Sequence, residues 1–168
     1  MRWMKYRKLK VIIFFLLASR GVAAVEPITF KVIKPPVAPT APIPKLMKAL
    51  VETESRGNAN AIGDNHEAFG ILQIHESMLL EYTRITGRYY NHSEMFTPAK
   101  AREVANVVLR FYANHILTTT GRPATLKELA FIWNGGGEAW HRATNPQRDT
   151  KQRRLEAYWR KVSSNLDA

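Results

Sequence analysis

From residue 45 onward the apolar residues recur every three or four positions, and five segments carry that period. In the first, Lys45 to Ser55, a turn of about 100° per residue gathers Leu46, Met47, Leu50 and Val51 into an arc of roughly 140°. A second helix is predicted from Glu76 to Ile85, stopping at Gly87. A long third takes Thr97 as N-cap, Pro98 as its first residue and Gly121 just past its end, with Ala101, Val104, Ala105, Val108 and Tyr112 facing inward. The fourth starts at the capping box Thr125-Leu126-Lys127-Glu128, presents Leu126, Leu129, Ala130 and Trp133 on one side, and halts at Asn134-Gly135-Gly136-Gly137. The last, Thr150 to Val162, buries Leu155, Tyr158, Trp159 and Val162 at spacing i, i+3, i+4 and i+7. No strand-rich region competes and no internal repeat is visible. The expected fold is a compact, mainly α domain over residues 45–165, with little or no sheet.

Before residue 45 the pattern changes twice. Arg2, Lys5, Arg7, Lys8 and Lys10 precede an apolar run from Val11 to Ala18, and Val22-Ala23-Ala24 follows as a small-residue cleavage site. Residues 1–24 are thus expected to be a signal peptide, because the apolar run falls well short of the roughly 20 residues a spanning helix needs. Arg20, between the run and the cleavage site, leaves an uncleaved, membrane-tethered form as the alternative. Residues 25–44 contain Pro27, Pro35, Pro36, Pro39, Pro42 and Pro44 and are expected to form a semi-rigid linker. Within it, Ile28 to Ile33 has the composition of a short strand for which the sequence fixes no partner.

This division alters the charge picture. The whole chain carries a formal +11, but six of its 25 basic residues and none of its 14 acidic ones lie in residues 1–24, which leaves +5 for the remainder. That balance suits a polyanionic cell wall and does not call for nucleic acid. Arg148, Lys151, Arg153, Arg154, Arg160 and Lys161 cluster late and read as the solvated face of a terminal helix. The chain has no cysteine, which excludes disulfides, a thiol nucleophile and thiolate metal sites.

One residue breaks the helical pattern. Glu54 lies near the centre of the apolar arc of the first helix, whereas Glu52 projects to the opposite, solvated side. Burial disfavours a charged carboxylate and raises its pKa, the condition for a general acid that holds its proton near neutral pH. Cleavage of a glycosidic bond requires such a group. The five histidines, His66, His75, His92, His115 and His141, show no paired metal spacing, and no cofactor motif, nucleophile elbow or phosphate loop is present.

Glu54-Ser55 at a helix end, then Phe69-Gly70-Ile71-Leu72-Gln73-Ile74, then Ile132-Trp133-Asn134-Gly135-Gly136 resemble, in this order, the soluble lytic transglycosylase domain of the lysozyme-like superfamily. Goose-type lysozymes share a similar layout. The resemblance implies an α+β lysozyme-like fold with a substrate groove, and cleavage of the β-1,4 bond between N-acetylmuramic acid and N-acetylglucosamine in peptidoglycan by a secreted or periplasmic, metal-independent monomer. By that resemblance Glu54 is the acid and then the base toward the sugar's own 6-hydroxyl, giving a 1,6-anhydro end, with Ser55, Gly70, Gln73, Trp133 and Asn134 at the substrate. Gly70 would let backbone approach the sugar, and Gln73 would bond an acetamido or hydroxyl group. The family carries a tyrosine where this chain has Trp133; an indole donates but cannot accept, so either the geometry differs or another residue supplies the hydroxyl. Asp64 and Glu67 lie on the loop where lysozymes of the superfamily often place a second acid, and either would favour a hydrolytic muramidase. The remaining alternative is a non-catalytic cell-wall-binding or secretion-assembly protein that kept the groove.

Overall fold

The computed structural model describes residues 42–166. The predicted signal peptide and the linker up to residue 41, including Ile28 to Ile33, lie outside the described residues.

Among the described residues six α-helices carry the architecture: α1 Ile43–Ser55, α2 Glu76–Thr86, α3 Pro98–Thr120, α4 Leu126–Gly135, α5 His141–Thr144 and α6 Thr150–Ser164. The helix α1 begins two residues before the sequence pattern suggests, because Pro44 is tolerated in its first turn, where no intrahelical N–H is needed. Ends follow local chemistry. The helices α2 and α3 stop at left-handed Gly87 and Gly121, whose N–H groups bond to the carbonyls of Thr83 and Leu117. Thr97 and Pro98 start α3 in the expected positions, although the Thr97 side chain makes no cap hydrogen bond.

At the start of α4 the capping box forms in both directions: the Thr125 hydroxyl accepts from the Glu128 N–H, and the Glu128 carboxylate accepts from the Thr125 N–H. Glu128 is fully buried. Burial alone would raise its pKa, but two bonds from Arg122 at 3.0 and 2.6 Å and those from Thr125 outweigh it and hold the carboxyl below its ordinary range. Thr125→Ala removes one cap and should lower unfolding stability by about 1 kcal/mol, read as a reduced urea midpoint at unchanged slope.

The helices α1, α2, α3 and α6 each bury one apolar side, α5 buries no residue, and α4 differs from both. In α4 Leu129, Ala130, Phe131, Ile132 and Trp133 are all buried, so this helix is enclosed on every side and not on one face as its pattern suggests. It packs against α1, α3, α5 and α6 and is the axis of the fold. Leu46 and Leu50 of α1, Val104, Val108 and Leu109 of α3, and Tyr158 and Val162 of α6 surround it in the main core. Tyr112 and Trp159, expected inside, are only partly buried.

Between α1 and α2 lies a small antiparallel hairpin, β1 Ile62–Gly63 and β2 Ala68–Phe69, with Ile62 opposite Phe69 and Gly63 opposite Ala68. A further bridge joins Phe69 to Ile74. The architecture is therefore the mainly helical domain with minimal sheet that the hydrophobic pattern predicts. Among the described residues no helix is long and apolar enough to cross a membrane.

Candidate active site

Glu54 sits in the last turn of α1, half-buried, while Glu52 is exposed. The phase of the helix separates the two acids as the sequence implies. From α6, 104 residues along the chain, the Tyr158 hydroxyl donates to Glu54 Oε1 at 2.6 Å. The Trp133 indole N–H of α4 is a second donor facing the same carboxyl. Burial is the dominant influence and raises the Glu54 pKa above its ordinary value; Tyr158 and Trp133 oppose it, the Asp64 charge adds to it and His75 opposes it. The Tyr158 phenol is itself pushed well above its usual pKa by burial and by Glu54. It is therefore a donor at any working pH.

A cavity of about 490 Å³ opens beside this carboxyl. Of the residues expected at a substrate, Gln73, Trp133 and Asn134 line it together with Glu54, and so does Asp64. His75, Ser77, Met78 and Arg154 complete much of the wall. Trp133 thus belongs to the core by burial and to the cavity by one edge. Asn134 is exposed in the final turn of α4, just ahead of the Gly136 cap.

Ser55 and Gly70 hold the site from behind. The Ser55 hydroxyl donates to the Ile71 carbonyl at 2.9 Å, which ties the end of α1 to the segment after β2. Gly70 is buried with φ +73, and a Cβ there would lie 2.0 Å from the Met95 carbonyl oxygen. The close approach this glycine permits within the protein is to the backbone at Met95, a packing role that the sequence did not suggest.

Gln73 also does more than face a ligand. Its side-chain amide donates to the carbonyls of Ala61 at 3.2 Å and Gly70 at 3.0 Å, clasping the hairpin loop, and its backbone is held at φ +47. The carbonyl oxygen of the same amide packs against Gly63. Asp64, Asn65 and His66 are all left-handed, with φ of 45, 54 and 73, a run of strain that rigid surroundings must maintain. The turn directs Asp64 to His75, whose Nε2 lies 2.9 Å from Oδ2 of Asp64.

The two acids nominated as a second carboxylate separate. Asp64 shares the Glu54 cavity, whereas Glu67 lines a neighbouring one of about 360 Å³ with His66, His75, Glu76, Ser77 and His92. Among the described residues no group of three or more His, Cys, Asp or Glu is placed to hold a metal ion.

Tyr158, His75, Ser77, Met78 and Arg154 are residues at the site that sequence reasoning did not assign to it. For Tyr158 one signal existed: a phenol on the apolar face of α6 must satisfy a buried hydroxyl, and the other unexplained buried polar group was Glu54. His75 carried no comparable signal, since its partner is fixed by the left-handed turn.

A family model described as the transglycosylase SLT domain matches residues 40–155. Tyr158 falls just beyond the matched segment. Neither a curated protein nor a solved structure matches the chain. Because the matched segment spans well over half of the 168 residues and carries the acid on α1, the glycine-led loop and the end of α4, the chain belongs to the transglycosylase SLT family.

Proposed function

We propose that this chain is an exported lytic transglycosylase that cleaves the bond between N-acetylmuramic acid and N-acetylglucosamine in peptidoglycan and leaves 1,6-anhydro ends. The observation that carries the reading is the half-buried Glu54 at the cavity edge, its pKa raised by burial and its carboxyl gripped by Tyr158 at 2.6 Å. Family membership supports glycan cleavage, and the basic-apolar leader in residues 1–24 supports export to where that polymer lies.

In this reading Glu54 donates its proton to the glycosidic oxygen, the bond to C1 breaks, and the N-acetylglucosamine side leaves as an alcohol. Tyr158 and Trp133 then stabilise the carboxylate by donating to it. The carboxylate accepts the proton of the 6-hydroxyl as O6 attacks C1, closing the anhydro ring and returning Glu54 to its starting state. No water is consumed.

Hydrolysis is the second reading, favoured by Asp64 on the wall of the same cavity. Mass analysis of muropeptides after digestion separates the two: anhydro ends are lighter by one water than reducing ends. Reducing ends alone would replace transglycosylation by hydrolysis, and Asp64→Asn would then abolish activity.

Tyr158→Phe keeps the ring and removes one donor. Turnover should fall roughly ten- to a hundredfold, the worth of a hydrogen bond to a charged group. Since that bond lowers the Glu54 pKa, its loss should move the alkaline limb of the pH–rate profile upward. An unchanged limb would remove Tyr158 from the proposed machinery.

A further inference from the structure

Among the described residues Arg154 is the one lysine or arginine on the wall of the Glu54 cavity. It lies four residues before Tyr158 on α6, so the two share a helix face and stand about 6 Å apart along the axis. The guanidinium is thus one helical turn from the residue that grips the acid.

Several polar groups on and around α6 are paired with one another, while Lys151 and Arg154 are both exposed. Lys127 and Gln152 both bond to Glu156, Arg142 takes Asp149, and Arg153 donates to the Thr150 hydroxyl. Among the described residues Arg154 has no hydrogen-bond or ion-pair partner. Nor is it among the groups that shift Glu54, which are Tyr158, Trp133, Asp64 and His75 besides burial. An exposed arginine at a cavity wall, with no protein partner for its donors, is available to the ligand. The other ionisable side chains on this wall are Glu54 and the Asp64–His75 pair, in which His75 Nε2 lies 2.9 Å from Asp64 Oδ2. A ligand carboxylate entering this cavity meets Arg154, whose fork matches a carboxylate in two parallel bonds.

We propose that Arg154 is a specificity-determining residue that binds a carboxylate on the lactyl-peptide substituent of the glycan and so selects muramic-acid-containing strands over uncharged N-acetylglucosamine polymers. The proposal rests on the glycan-cleaving reading above. Two carboxylates share this chemistry: the lactyl group itself in peptide-free strands, and the acidic residues of the attached peptide.

The test uses Glu54→Gln protein, which binds without turning over, and the same protein carrying Arg154→Gln or Arg154→Lys. Affinity is measured by calorimetry for three tetrasaccharides: a chitotetraose, a peptide-free muramyl glycan with its lactyl carboxylate exposed, and a peptide-bearing muramyl glycan. The parent should prefer at least one charged glycan to chitotetraose by roughly tenfold, and Arg154→Gln should remove that ratio, while Arg154→Lys retains part of it. The preference should also shrink with added salt. Loss confined to the peptide-free glycan identifies the lactyl carboxylate; loss confined to the peptide-bearing one identifies the peptide. If the parent prefers a charged glycan and Arg154→Gln leaves the ratio intact, or if the parent has no preference, this inference fails and the glycan-binding reading stands. If none of the three glycans binds the parent, both fail.

Discussion

Replacing Glu54 by Gln should lower glycan cleavage by roughly 10³-fold or more, because in the proposed mechanism a single group supplies both proton transfers and each contributes roughly 10²–10⁴-fold. Gln is nearly isosteric and still accepts from Tyr158, so the geometry of the bond at 2.6 Å survives while the proton does not. Stability supplies an independent check. The folded Glu54 has a pKa above its unfolded value near 4.5, so the unfolded chain releases this proton first. Stability contributed by this group therefore falls as pH rises past 4.5, and Glu54→Gln lacks that slope. The variant should gain on the wild type in melting temperature as pH increases from 4.5 toward neutrality. Catalysis by the wild type should decline over the same direction, as the raised pKa is passed and the acid ionises. Activity of the variant within tenfold of wild type would end the assignment of Glu54.

Gly70→Ala should be the most damaging small substitution for stability. A left-handed alanine costs roughly 1–2 kcal/mol, and a methyl forced against packed backbone costs about 1–3 more. The Cβ would stand 2.0 Å from the Met95 oxygen and 2.8 Å from its carbonyl carbon, and Met95 is fully buried, so neither side can yield cheaply. The expected loss is about 3 kcal/mol, or roughly 10 °C in melting temperature for a domain of this size. Gly57→Ala is the matched control. Its φ is +77, nearly the same, but no atom lies within 4 Å of the added Cβ, so it carries the backbone strain alone. Equal melting temperatures for the two variants would mean that the segment after β2 slides away from Met95, and the clash argument would be abandoned.

Both results bear on how much of this protein is legible in its residues. The helices were, because each carries its own period and its own stop or start: Gly87 and Gly121 in the left-handed region, Pro98 in a first turn, the reciprocal Thr125–Glu128 cap. These are interactions among residues a few positions apart. The hairpin at Ile62–Gly63 and Ala68–Phe69 was not, since two-residue strands are too short to display alternation. Nor was the all-round burial of α4, because which helices surround it is a property of the other helices.

The same division runs through the site. Glu54 announced itself through helical phase alone, as a carboxylate on an apolar arc, and the ordered Gly70 to Gln73 and Trp133 to Asn134 segments pointed to a common cavity. Their work within it did not follow. Gln73 spends its amide on Ala61 and Gly70, and Gly70 yields to Met95, because the loop must be braced before it can face anything. The sequence by itself determined the helices, the acid and the family pattern, all of which rest on local period and spacing. Only the tertiary structure decided that the Tyr158 hydroxyl reaches Glu54, that Asp64 and not Glu67 shares the cavity, and that Arg154, exposed as its pattern implies, stands on the wall of that cavity. Those three depend on how α6 and the left-handed turn at Asp64 to His66 pack against α1, and contacts across 104 residues leave no period in a chain.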